Sequence, residues 1–215
     1  MHQVRVAQSV SLSGVVLWTS DIGGYHGGNS SDPVYQELIV RWFQFGAFCP
    51  LFRLHGKRSG GPPADACGTT NGDNEVWSFG ETATACISSV MALRESLRPY
   101  ISKLSVEAAA TGMPMLRPLV LAFPMDPQCS KPWTEGQFML GPDWLVAPVT
   151  TYNATQWSVY LPRIAANETW IYYFNTSMVY QGGGLNVTIA TPLNEFPLFT
   201  RATGFASGLT FMQNT

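Results

Sequence analysis

The hydrophobic period of this chain changes once, at Gly112, and the change separates two kinds of structure. Before it, apolar residues recur at helical spacing. Ile87, Val90, Met91, Leu93, Leu97, Tyr100, Ile101, Leu104 and Val106 run through residues 82–111, and Gly112, with Pro114 just beyond, stops the run. Pro99 inside this stretch predicts a kink or a break between two helices, because a proline nitrogen cannot donate to the turn before it. After Gly112 come short runs rich in Val, Ile, Tyr, Phe and Trp: "MLRPLVLAF", "QFMLG", "WLVAPV", "WSVYLP", "TWIYYF", "MVYQ", "LNVTIA" and "FPLFTR". They recur about every ten residues between turn residues, an antiparallel β-sandwich signature.

The first half has its own order. "GVVLW" at 14–18 reads as a short buried strand with a glycine-rich exit. "SSDP" starts a helix, with Asp32 able to cap and Pro33 suited to the first helical position. Val34, Leu38, Val40, Trp42 and Phe45 carry that helix through residues 34–48. "CPLFRLHG" at 49–56 reads as a second buried strand, so strand, helix and strand suggest a parallel βαβ unit. Residues 57–74, rich in Gly, Pro, Asp and Thr, read as a long loop. Residues 1–18 resemble a signal peptide only faintly, since serines interrupt the apolar part, and read instead as a buried strand.

Composition limits the partners. The 215 residues are 46% hydrophobic with a net charge of −2, so no basic field exists to hold a nucleic-acid backbone. No apolar run approaches the ~18–20 residues of a membrane-spanning helix. Asn-x-Ser/Thr occurs at Asn29, Asn153, Asn167, Asn175 and Asn186, which points to the secretory pathway and an extracellular, lysosomal or vacuolar destination. Cys49 and Cys86 sit among apolar neighbours and read as buried thiols; Cys67 lies in the loop and could pair, and Cys129 is unassigned. No Cys/His spacing suggests zinc, and nothing implies a cofactor.

The stretch "DIGGYHGG" at 21–28 raises three readings. Its glycines fit neither phosphate-loop spacing, and no lysine follows to reach a phosphate. Asp21 and His26 have no further metal ligands at a familiar spacing. A sugar pocket fits better. Asp21 and His55 would lie at the same end of two parallel strands, where barrel enzymes gather their chemistry. A carboxylate and an imidazole make directional hydrogen bonds to hydroxyls, and an aromatic such as Tyr25 packs on the apolar face of a ring. An ion pair between Asp21 and Arg53, holding two strand ends together, is the structural alternative, and both can hold.

These motifs resemble glycoside hydrolase family 31, which includes α-glucosidases and α-xylosidases. The matches are "DIGGY", "ELIVRWFQFGAFCPLFRLHG", "VWSFGE", "RPYI", "GMPMLRPLVLAFPMDP", "QFMLGPDWLVAPV", "VYLP", "VYQGG" and "FPLFTR", in family order over nearly the whole chain. The resemblance implies a fold of α/β plus all-β type: the C-terminal part of a (β/α)8 barrel at 1–112, with strand seven at 14–18 and strand eight at 49–55. A proximal antiparallel β-sandwich follows at 113–205, with a divergent tail at 206–215. It implies substrate-binding roles for five residues. His55 resembles the histidine that hydrogen-bonds the sugar, Asp21 the aspartate on the pocket floor, and Arg53 the arginine that orients it. Tyr25 stands where an aromatic often lines the next subsite, and Trp18 is placed to line the pocket.

The family hydrolyses terminal α-linked glucose or xylose with retention, using a nucleophilic aspartate and an acid/base aspartate on earlier barrel strands. Neither has a counterpart in these residues, so no catalytic residue is assigned here. The partner implied is an oligosaccharide or glycoside. The alternative is a non-catalytic module that binds carbohydrate or pairs with another chain. Glu95, Glu135-Gly136 and the tail after Ala202 depart from the family pattern. Two strands cannot close a barrel, so residues 1–112 should be unstable alone, whereas 113–201 is long enough for an autonomous sandwich.

Overall fold

A computed structural model of the chain describes residues 2–59 and 72–201. Cys67 and the tail at 206–215 lie outside the described residues. Among the described residues, four of the five α-helices and a two-stranded parallel pair lie on one side of a six-stranded sheet, and a two-stranded ribbon completes the ten short strands.

The helical layer follows the signals in the sequence, with one exception. Helix α2 (Pro33–Gly46) starts where the Asp32 carboxylate accepts from the Val34 N–H at 3.0 Å, with proline in its first turn. Helices α3 (Glu81–Ser96) and α4 (Arg98–Thr111) meet at Leu97, just before Pro99, and Gly112 caps α4 in the left-handed region. The exception is α1 (His2–Leu12), where a buried strand was expected. Its apolar residues partly alternate, as in Val4, Val6, Val10 and Leu12, which mimics a strand. Its buried face is Val4, Ala7, Gln8 and Ser11, a helical stripe half made of polar groups. Gln8 belongs inside because its amide donates to the Glu135 carbonyl at 2.7 Å.

The parallel βαβ unit is present but displaced. Strands β1 (His26–Asn29) and β2 (Lys57–Ser59) pair in parallel across α2, each just beyond the segment read as a strand. Residues 14–18 form no strand. Val15 and Leu17 are 49% and 57% exposed, while Val16 and Trp18 pack inward. The alternation is that of a strand, but the ladder is nearly empty. Residues 49–56 likewise keep one bridge, Ile22 to Leu54. Three backbone bonds track the two segments together: Leu51 N to Trp18 O, Ile22 N to Arg53 O, and Lys57 N to Tyr25 O.

The second half is the expected sandwich. Strands β3 (Leu116–Pro118), β4 (Phe138–Leu140), β5 (Trp144–Val146), β10 (Leu198–Arg201), β7 (Thr169–Tyr172) and β8 (Val179–Gln181) lie in that order, all antiparallel. The end of "MLRPLVLAF" departs: residues Leu119–Ala122 turn into a short helix, α5. Alternation decides which layer each side chain joins. Phe138, Leu140, Trp144, Val146 and Leu198 face the helices, while Met139, Leu145 and Phe199 face the ribbon of β6 (Gln156–Leu161) and β9 (Leu185–Ala190). The sheet therefore has an apolar core on each side. The helical core runs without interruption across Gly112, with Phe48 packed on Trp144 and Phe196.

Polar ties reinforce that junction. Arg41 on α2 is buried and donates to the carbonyls of Thr191, Pro192 and Glu195, while Gln44 donates to Leu193. Arg94 on α3 donates to the carbonyls of Ala47, Cys49 and Pro50, groups left over where α2 ends. Cys49, Cys86 and Cys129 are free and buried.

A candidate sugar-binding site

Asp21 is the centre of the site. One carboxylate oxygen accepts from Arg53, with Nε at 3.1 Å and Nη2 closer still. The other oxygen lies 3.4 Å from His55 Nδ1. Asp21 sits just before the Ile22–Leu54 bridge and His55 just after it, so the single bridge sets their separation. Tyr25 completes the cluster, with its ring 5.2 Å from that of His55 and tilted by 38°. Trp18 is half-buried and packs on the helical core three residues back. Ser20 is held by the Trp42 indole N–H at 3.0 Å, which fixes the approach to Asp21 from α2.

The electrostatics favour an acceptor. Partial burial pushes the Asp21 carboxyl up, but hydrogen bonds from Arg53 and His55, and their charge, outweigh it, so its pKa lies below the ordinary carboxylate value. Asp21 therefore stays ionised at neutral pH and can only accept. A general acid in a glycosidase needs the opposite shift. Asp21 keeps 20% of its side-chain surface and His55 51%, leaving both open to a hydroxyl-bearing ligand. The ion pair with Arg53, itself 58% exposed, is worth about 0–1 kcal/mol, so it orients Asp21 more than it stabilises the fold.

The spacing of the sequence did not reveal Arg58. Its side chain is 1% exposed, and its five N–H groups reach five oxygens. Nε donates to Asn74 Oδ1 at 2.6 Å; Nη1 donates to Gly23 O at 3.3 Å and Gly27 O at 2.8 Å; Nη2 donates to Gly24 O at 2.7 Å and His55 O at 3.1 Å. Tyr35 lies beneath the guanidinium, 5.5 Å from ring centre to Cζ, and its hydroxyl donates to Gly23 O. The glycines of "DIGGYHGG" thus turn their carbonyls onto a cation; they do not turn their N–H groups onto a phosphate. Gly56 lets the two segments close, because a Cβ there would stand 2.5 Å from Gly24 O and 2.6 Å from Arg58 Nη2. One signal was available: a loop of four glycines has few side chains to bond its own carbonyls and needs an outside donor.

Among the described residues, no group of three or more His, Cys, Asp or Glu is placed to hold a metal ion, and no helix is long and apolar enough to cross a membrane. Asn29, Asn153, Asn167, Asn175 and Asn186 are all exposed.

Comparison with known proteins finds relatives over most of the chain. Residues 1–104 match the TIM-barrel domain of glycosyl hydrolases family 31, and residues 112–204 match the C-terminal domain of that family. Alpha-xylosidase A of Aspergillus niger is 36% identical over 214 residues, covering 92% of this chain and 28% of that protein. The alpha-xylosidase of Saccharolobus solfataricus is 34% identical, covering 93% of this chain and 25% of that protein. Among solved structures, a GH31 alpha-xylosidase from a soil metagenome, complexed with xylose, superposes with a TM-score of 0.83 at 38% identity. It covers 93% of this chain, which spans 30% of that one. The chain thus spans under a third of the length of these relatives. With both domain models matched in order, and the barrel-side and sandwich halves packed as described, this chain belongs to glycosyl hydrolase family 31.

Proposed function

We propose that this chain forms the sugar-holding side of a retaining α-glycosidase that releases terminal α-linked xylose or glucose. The observation that carries the reading is the Asp21 carboxylate, held ionised by Arg53, with His55 on its free side. In this reading Asp21 and His55 bind the hydroxyls of the terminal sugar, and Tyr25 covers an apolar ring face. The nucleophile and acid/base aspartates, which must flank the scissile bond at roughly 5 Å, come from barrel strands other than those in these residues. In this reading Asp21, Tyr25, Arg53, His55 and Trp18 all serve binding and none serves bond cleavage. A second reading, a carbohydrate-binding module without hydrolysis, is favoured by the assembly of the whole Asp21–Arg53–His55 cluster within these residues.

The test is to titrate the purified 215-residue chain with xylose and with glucose, and to assay chromogenic α-xyloside and α-glucoside. Binding without turnover is expected. Asp21→Asn should weaken binding by about tenfold, the loss of one charge-assisted hydrogen bond. Turnover by the chain itself would overturn the placement of the two aspartates outside it, and absence of binding would overturn the sugar-holding role. If the chain binds but gains no activity when mixed with a polypeptide carrying the remaining barrel strands, the second reading takes over.

We also propose that the chain passes through the secretory pathway and carries N-linked glycans at its exposed sequons. Expression in a eukaryotic secretory host should give a mass that falls on treatment with an N-glycosidase. An unchanged mass would remove the proposal.

A further inference from the structure

We infer that Arg58 is the positioning residue of this site, its guanidinium locking the loop that carries Asp21 to the turn that carries His55. The inference rests on the sugar-holding reading of those two residues. Three of its acceptors, Gly23 O, Gly24 O and Gly27 O, belong to the loop that follows Asp21, and a fourth is the carbonyl of His55 itself. The link to Asp21 is short. The Gly24 N–H donates to the Asp21 carbonyl at 2.9 Å, and the Gly24 carbonyl accepts from Arg58, so a single residue, Gly24, links the clamp to the carboxylate-bearing residue. The fifth acceptor, Asn74 Oδ1, fixes the clamp from sixteen residues further along the chain, and Asn74 Nδ2 also donates to Gly56 O.

The geometry distinguishes Arg58 from the other arginines that gather several backbone carbonyls. Arg41 and Arg94 gather carbonyls at the sandwich junction and the end of α2, away from Asp21 and His55. Arg53 touches Asp21 directly but is largely exposed, so it cannot by itself hold the two backbone segments in register. Only a five-donor planar group satisfies all five oxygens at Arg58. A lysine has three donors and would leave carbonyls of the Asp21 loop unpaired.

The experiment follows the Asp21 carboxyl by 13C NMR across pH in the full 215-residue chain, with xylose titrations on the same samples. The variants are Arg58→Lys, Asn74→Ala and, as a control, Tyr35→Phe, which removes one bond to Gly23 O and leaves Arg58 in place. In Arg58→Lys the Asp21 midpoint should rise toward the ordinary carboxylate value, as its contacts with Arg53 and His55 loosen. Xylose affinity should fall by about tenfold. Asn74→Ala should move both in the same direction by less, and Tyr35→Phe least. A residue that only stabilises the fold would lower the melting temperature and leave the Asp21 midpoint where it was. A folded Arg58→Lys chain with an unchanged midpoint therefore overturns the inference. If Arg58→Lys does not fold, Asn74→Ala decides in the same way. A wild-type chain that binds no xylose overturns the sugar reading alone, while the Asp21 midpoint still decides the positioning of that carboxylate.

Discussion

Asp126 shows how the carboxylates of this chain hold their surroundings. Its side chain is buried and accepts three hydrogen bonds: from Tyr160 Oη at 2.7 Å, Arg163 N at 2.8 Å and Gln128 N at 3.1 Å. Burial raises its pKa, but these donors outweigh it and bring the value below the ordinary one. Asp21 is lowered in the same manner, and Glu168 chiefly by its hydrogen bond from Arg201. A carboxyl lowered in the native state binds protons more readily when unfolded. Its stabilisation is present above the ordinary carboxylate value of about 4 and is lost as pH falls through the native value. Denaturant midpoints should therefore drop steeply below about pH 4. Asp126→Asn should lower stability at pH 7 by about 2 kcal/mol, because an amide offers one acceptor: turned to Tyr160 and Arg163 it leaves the Gln128 N–H facing an N–H₂ group, and turned to Gln128 it leaves the other two donors so. The same change should flatten the acid limb, and a limb of unchanged slope would count against Asp126 as its source.

At the scale of elements, the helix starts and stops were written in local chemistry and could be read. Asp32 and Pro33 open α2, Pro99 separates α3 from α4, and Gly112 ends α4. Asp32→Ala should cost about 1 kcal/mol, measured by chemical unfolding, since one N–H of the first turn loses its acceptor. The sandwich strands were readable from alternation, which also sorted Trp144 from Leu145 onto opposite faces. Elements decided by distant neighbours were not readable. Helix α1 buries Gln8 because Glu135, far along the chain, offers a carbonyl. Residues 14–18 carry a strand pattern without the partners that would make it a strand. In the site, Asp21, Arg53, His55 and Tyr25 were found through their motifs, and the structure gathers them. Arg58 was missed because its burial depends on the curl of a loop some thirty residues earlier.

At the scale of the molecule, the two halves share one core. Phe138, Leu140, Trp144, Val146, Phe196 and Leu198 of the sandwich pack on the helices, so residues 113–201 alone would expose a continuous apolar face. This changes the expectation of an autonomous sandwich. The whole chain should unfold in one transition, with equal calorimetric and van't Hoff enthalpies. Trp144→Ala should destabilise it by about 3–5 kcal/mol and move probes in both halves together. Two separate transitions would show the junction to be weaker than its packing implies.

The three buried thiols give this architecture a clock. Burial raises the pKa of Cys49 and Cys86, and burial with the nearby Asp126 takes Cys129 up to about 12, so none is a ready nucleophile while the fold is closed. Cys49 and Cys86 lie in the core between helices and sheet, and Cys129 in the core between sheet and ribbon. With Cys67 changed to serine, the speed at which a thiol reagent consumes each one reports how often its own layer opens, and whether the layers breathe in concert or in turn.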